Sequence, residues 1–75
     1  MKIKIKVIGP LMYEAGFSEK VLEVPDGITA GAVLELINIP MERAKIMTRN
    51  GNAVALSDSL AEGDSIAVAP IYSGG

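Results

Sequence analysis

Residues 60–75 read LAEGDSIAVAPIYSGG. A Glu-Gly-Asp turn, Glu62 to Asp64, leads into Ser65 to Ala69, where Ile66 and Val68 alternate with small residues. That is the period-two signature of a strand with one buried face. Pro70 ends the strand, because it has no N–H to donate to a ladder. Five residues follow and close on two glycines, which bring no side chain to a core and lose the most conformational freedom when held still. At 8 glycines in 75 residues, a terminal pair arises by chance about one time in a hundred. The division expected is a folded body over 1–70 and a flexible tail over 71–75.

The same period of two opens the chain. In MKIKIKVI, residues 1–8, Ile3, Ile5 and Val7 share one face while Lys2, Lys4 and Lys6 share the other, a solvated sheet face or a docking stripe. Gly9-Pro10 breaks this strand, and GPLMYEAGFS makes a long connection. Lys20 to Val24 is a second strand with Leu22 and Val24 on one face. After the Pro25-Asp26-Gly27 turn a helix begins, N-capped by Thr29 and stapled by Ile28 over Val33. Ala30, Val33, Leu36 and Ile37 are expected on its buried face, and Pro40 ends it. Gly31 in its first turn is expected to weaken the helix by about 1 kcal/mol relative to alanine. Ala44 to Arg49 is a third strand, Asn50-Gly51 a strong turn signal, and Ala53 to Leu56 a short return strand. Leu60 plugs the core ahead of the last strand. The order predicts an α+β domain of two layers, a four- to five-stranded sheet with one main helix packed on one face.

Composition limits what such a domain does. An apolar fraction of 49% suffices for a core, and with only Phe17, Tyr13 and Tyr72 aromatic that core is aliphatic. Seven basic and nine acidic residues leave a net charge of -2, against the basic excess expected of a nucleic-acid binder. The longest uncharged run, Ser65 to Gly75, has 11 residues, well short of the roughly 20 that span a bilayer. The alternating N-terminus is a strand pattern and not a signal peptide, so the expected location is cytoplasmic. The absence of histidine removes the usual acid–base group at neutral pH, and without cysteine too the common zinc sets cannot be assembled. GITAGA, residues 27–32, lacks the spacing of a phosphate-binding glycine loop. Catalysis by this chain alone is not expected, and no metal or stably bound cofactor.

GPLMYEAG after the first strand, EVPDGIT leading into the helix and the ending Leu60…Glu62-Gly63-Asp64…Pro70…Gly74-Gly75 carry a resemblance over nearly the whole chain. It resembles the sulfur-carrier branch of the ubiquitin-like β-grasp proteins, which comprises the small subunit of molybdopterin synthase and the thiamine-pathway sulfur carrier. The resemblance implies a mixed sheet in which the first strand is central and pairs in parallel with the last. It also implies that the working group is the α-carboxylate of Gly75. An activating enzyme adenylates that group with ATP, a sulfur donor displaces AMP to leave a thiocarboxylate, and the sulfur passes to a precursor. Gly74 and Ser73 would thread a narrow channel in the partner. The implied partners are the activating enzyme and a large synthase subunit or a thiazole synthase, with a monomeric carrier when free.

The opening and the Pro-x-x-Ser-Gly-Gly ending look more like the molybdopterin subunit; INIP at 37–40 and RNG at 49–51 look more like the thiamine carrier. The reading leans to the former, although a single Pro70 stands where that type often has two prolines. A modifier that forms isopeptide bonds through the same tail, and a plain interaction domain, remain open. Because the apolar fraction exceeds what one helix can cover, Val21, Met47, Ile71 and Tyr72 are expected to form a partner patch on the open sheet face or the tail. Asp58, Glu62 and Asp64 are read as turn residues, with steering of a basic partner as the alternative.

Overall fold

The computed structural model describes residues 1–70; the expected tail, 71–75, lies outside them. The alternation at the N-terminus becomes β1 (Lys2–Val7), with Ile3, Ile5 and Val7 buried and the three lysines exposed. Its neighbours are β2 (Glu19–Glu23), antiparallel, and β5 (Ser65–Ala69), parallel, in the register Ile5↔Ile66 and Val7↔Val68. The far side of β5 pairs antiparallel with β3 (Ile46–Arg49), which carries the two-residue β4 (Asn52–Ala53). The sheet order β2-β1-β5-β3-β4 is that of the β-grasp fold. Both β1 and β5 are interior, and β5 is the middle strand.

Helix α2 (Ala30–Leu36) covers one face. Thr29 caps it as expected, its Oγ1 accepting the N–H of Ala32 at 3.2 Å. The buried stripe is Ala30, Val33, Leu34 and Ile37, the i, i+3, i+4, i+7 set. Leu36, expected in that stripe, is 57% exposed, because at 100° per residue it falls beside the stripe and not within it. The helix also stops before Pro40. Asn38 adopts a left-handed φ of 62°, the short polar side chain tolerating that region, and the chain then folds Ile39 back into the core, where its N–H reaches Leu34 O at 3.0 Å.

Three more expectations change in detail. The connection after β1 contains a single-turn helix, α1 (Leu11–Ala15), bounded by Gly9 and Gly16 with φ of 67° and 85°. One turn is too short to show a helical period; Leu11 is its buried residue, with Met12 and Ala15 packed against the core beside it. β3 begins at Ile46 and not Ala44, because 40–44 is a turn in which the Ala44 N–H bonds back to Pro40 O at 3.3 Å. The return strand ends at Ala53, because the following segment is drawn to α2: Gly31 N–H donates to Leu56 O at 2.9 Å and Ala30 N–H to Asp58 O at 3.0 Å. This is where Gly31 is needed, since a Cβ there would stand 3.2 Å from Leu56 O. Asn50 and Gly51 form the expected turn with φ of 52° and 87°.

The core is aliphatic, as composition requires. Ile3, Ile5, Ile66 and Val68 of the two middle strands meet Val33, Leu34 and Ile37 of α2, and Leu60, 4% exposed, closes the end of the layer. Among the described residues no helix is long and apolar enough to cross a membrane.

Candidate functional site

The chemistry expected of this chain lies beyond Pro70, and Gly75, Gly74, Ser73, Tyr72 and Ile71 all lie outside the described residues. What the fold settles is the point from which they depart. β5 is held on both sides up to its last residue: Ala69 pairs with Ile46 of β3, and one residue earlier Val68 O accepts the N–H of Ile8 at 2.9 Å. Pro70 then interrupts both ladders for want of an N–H. Its ring lies over Gly9, so that a Cβ on Gly9 would stand 3.8 Å from Pro70 Cγ and Cδ. The described chain therefore ends at the middle strand of the sheet, and five residues of extended backbone span about 17 Å.

The sheet face away from α2 lies open beside this point. Lys4 pairs with Val21 on one side and Ser65 on the other, and Lys6 pairs with Glu19 and Ala67. Ser65, Ala67 and Thr48 are small, so the face carries a shallow depression of about 280 Å³ between the lysines and β3. Val21 is 61% exposed, where the sequence puts it. Lys4 Nζ lies 3.8 Å from Glu19 Oε1 with both groups half exposed, a pairing that contributes little to stability.

Met47 is a correction. It is only 7% exposed and pairs with Val68, which places it on the helix-covered face, in the core. Ile46 and Met47 are both apolar, so the sequence cannot show which of the two points outward. Register with β5 decides it, and Ile46, opposite Ala69, takes the open face, half-buried. Sequence reasoning therefore missed Ile46, and also Ile8, which is exposed one residue past β1.

The acidic residues before β5 serve the fold. Asp64, 8% exposed, accepts the N–H of Ala61 at 2.8 Å through Oδ2 and the side-chain amide of Asn50 at 3.1 Å through Oδ1. Arg49 Nη1 lies 4.0 Å from the same carboxylate. Glu62 accepts the N–H of Lys2 at 2.9 Å and Asp58 that of Ala55 at 3.0 Å. Gly63, with φ of 82°, makes the bend, and its N–H reaches Lys2 O at 2.8 Å. Asn50 does more than turn the chain, because its Oδ1 also accepts the Ser65 N–H at 2.9 Å; only the cross-strand register reveals that role. Among the described residues no cluster of acidic, histidine or cysteine side chains is placed to hold a metal.

Comparison with known proteins extends the picture. A search of curated proteins returns no match to the sequence. SAMP1 from Haloferax volcanii has a similar structure, with a TM-score of 0.76 and 27% identity over 100% of both chains. A putative molybdopterin converting factor, subunit 1, from Pyrococcus furiosus superposes with a TM-score of 0.80 at 23% identity, over 96% of this chain and 99% of that one. Subunit 1 in a complex with subunit 2 of the molybdopterin-converting factor from Helicobacter pylori gives a TM-score of 0.63 at 21% identity, over 100% of both. The model of the ThiS family matches residues 5–75, from the core of β1 to the last glycine. With the β-grasp sheet, the pinned end of β5 and the Gly-Gly ending, that match places the chain in the ThiS family of ubiquitin-like sulfur carriers.

Proposed function

We propose that this protein carries sulfur on the α-carboxylate of Gly75 for the assembly of molybdopterin. The observation that carries the reading is the end of the last strand: a middle strand paired with β1 to Val68 and with β3 to Ala69, then a proline that ends it, with five further residues in the sequence closing on Gly-Gly. A carboxylate presented this way enters a partner's site on a rigid body, which limits the ordering cost of binding.

A carboxylate oxygen of Gly75 attacks the α-phosphorus of ATP in the activating enzyme and pyrophosphate leaves. The terminal sulfur of a donor persulfide then attacks the acyl carbon and the C–O bond to AMP breaks, giving an acyl disulfide; a second thiol attacks the donor sulfur of that S–S bond, leaving the thiocarboxylate on Gly75 and a disulfide on the donor side. The α-carboxyl, with a reference pKa of about 3.5, is ionised and unreactive until activated. The chain contributes clearance at Gly74 and Ser73, where small side chains allow a close backbone approach. Contacts from Ile71 and Tyr72 continue onto the open face through Val21 and, in place of Met47, Ile46. ATP is the partner's substrate; the carrier holds no cofactor of its own and is a substrate of the activating enzyme. The molybdopterin role is supported by the two molybdopterin-converting-factor neighbours, one of them seen with its subunit 2. The alternative recipient is a thiazole synthase, which the resemblance to the thiamine carrier implies.

A second reading has its own support. SAMP1 matches end to end, and small archaeal modifier protein 1 of the same organism shares the fold. A modifier would spend the same activated Gly75 on a lysine ε-amine.

ATP–pyrophosphate exchange with the cognate activating enzyme tests the common step. Deleting Gly74 and Gly75 withdraws the carboxylate by roughly 7 Å and is expected to abolish exchange with an unchanged unfolding midpoint. Persistent adenylation of the truncated protein overturns the reading. Intact mass of protein from its host separates the two outcomes: a thiocarboxylate is heavier by the difference between sulfur and oxygen, and a modifier appears as adducts on target lysines.

A further inference from the structure

An asparagine followed by glycine is the pair at which a polypeptide modifies itself most readily. The asparagine amide carbon can close a ring onto the next backbone nitrogen, and glycine puts no side chain in the way. Asn50 and Gly51 are such a pair, and both are exposed. The fold holds them out of reaction by two means. Asn50 lies in the left-handed region at φ 52°, where ψ is roughly +47° and the following nitrogen stands nearly opposite Cβ across the Cα–C bond. A five-membered ring needs those two atoms eclipsed, so the Asn50–Gly51 peptide must first swing round. The second means is a set of bonds to the residues that open β5. Asn50 N–H donates to Ser65 O at 2.7 Å, Ser65 N–H to Asn50 Oδ1 at 2.9 Å, and Asn50 Nδ2 to Asp64 Oδ1 at 3.1 Å. The swing breaks them.

We infer that Asn50 is a self-modification site latched shut by Asp64 and Ser65, and that local opening of the β3–β4 turn, not global unfolding, releases it. In the open turn the Gly51 nitrogen gives up its proton to solvent and attacks Asn50 Cγ. The new C–N bond closes a succinimide, and the side-chain nitrogen leaves as ammonia, taking up a proton in exchange. Water then opens the ring. Attack at Cγ yields aspartate; attack at the backbone carbonyl yields isoaspartate, whose main chain runs through Cβ. One water is consumed, one ammonia is released, and no oxidant or reductant is needed. The product cannot close the latch again. Its carboxylate has no N–H for Asp64 Oδ1, and it sets a second negative charge where the amide stood. Arg49 Nη1, 4.0 Å from Asp64 Oδ2, is the cation at that corner. Isoaspartate also lengthens the backbone beside the Arg49↔Ile66 pair. An opening that reacts thus becomes a permanent weakening where β3 meets β5.

The experiment is peptide mapping by mass spectrometry of the full chain incubated at mildly alkaline pH, native and in unfolding urea. Conversion makes the peptide containing Asn50 heavier by the difference between a hydroxyl and an amino group. In the native wild type it is expected to run at least about tenfold slower than in urea, since the latch bonds must break first. Asp64→Ala frees Nδ2 and should speed native conversion about fivefold, the equivalent of one ordinary hydrogen bond, with no effect in urea. Ile37→Val trims the core on the far side of α2 and leaves the three bonds in place, so its native rate should stay within about twofold of wild type. Asn50→Asp, which reproduces the product, should unfold at a lower urea midpoint. Native conversion as fast as in urea overturns the latch. Acceleration in both Asp64→Ala and Ile37→Val, in proportion to the stability each loses, overturns local release in favour of global unfolding. Conversion in urea at Asn38 or Asn52 but not at Asn50 overturns the site, and an unchanged midpoint for Asn50→Asp overturns the weakening.

Discussion

Gly31→Ala sets two effects of similar size against each other. In a helix interior, alanine is favoured over glycine by roughly 1 kcal/mol, since glycine gives up more backbone freedom. On propensity alone the variant should be more stable. The structure opposes this with a contact: the new Cβ would lie 3.2 Å from Leu56 O and 3.5 Å from Leu56 Cβ. That oxygen is backbone, and it already accepts the Gly31 N–H at 2.9 Å. Its segment cannot drift away freely, because Asp58 O accepts Ala30 N–H at 3.0 Å and Asp58 Oδ2 accepts Ala55 N–H at 3.0 Å. Overpacking of this kind costs about 1–3 kcal/mol, so the net expectation is a loss of about 1 kcal/mol. For a domain of this size that lowers the melting temperature by roughly 4–8 °C. Thermal unfolding followed by circular dichroism, with a urea titration to confirm an unchanged m-value, measures it. Ala32→Gly, one residue further on, calibrates the propensity term and should lose about 1 kcal/mol. A melting temperature for Gly31→Ala at or above wild type would refute the account of why glycine is there.

Leu60→Ala should destabilise by about 2–5 kcal/mol, the range for truncating a buried leucine, and a urea midpoint within error of wild type would show that Leu60 is no plug. Asp64→Ala strands the Ala61 N–H and the Asn50 amide near β5; the expected loss is about 1–3 kcal/mol, and adding Asn50→Ala should cost less than in the wild type by the shared Asn50–Asp64 bond alone, the Ser65 bond and the turn being lost in both. Val21→Asp should leave stability within about 0.5 kcal/mol, as for most surface changes, while weakening complex formation with the activating enzyme. Unchanged binding removes the β2 edge from the docking surface. Gly74→Val leaves the carboxylate in place and should still block adenylation; full activity would show that the partner's channel needs no clearance there.

Local chemistry was legible wherever it depends on near neighbours in the chain. The Lys–Ile alternation fixed β1 and its buried face, Thr29 the start of α2, Asn50-Gly51 the turn, and Pro70 the end of β5, because each works through bonds and sterics within a few residues. The Gly-Gly ending and the Glu-Gly-Asp turn pointed to the family before any geometry was known. Other features needed the tertiary structure. Whether Ile46 or Met47 faces outward rests on a register with β5, a partner roughly 20 residues away, and a slip of one residue reverses the answer. Leu34 rather than Leu36 is buried because either completes a helical stripe with Val33 and Ile37, and the face of α2 packed against the sheet decides between them. Gly31 reads as a defect along the chain and as a necessity in space, since its neighbour Leu56 is brought there by the fold. Gly9 and Pro70 stand at opposite ends of the sequence, and only the parallel pairing of the first and last strands puts one against the other.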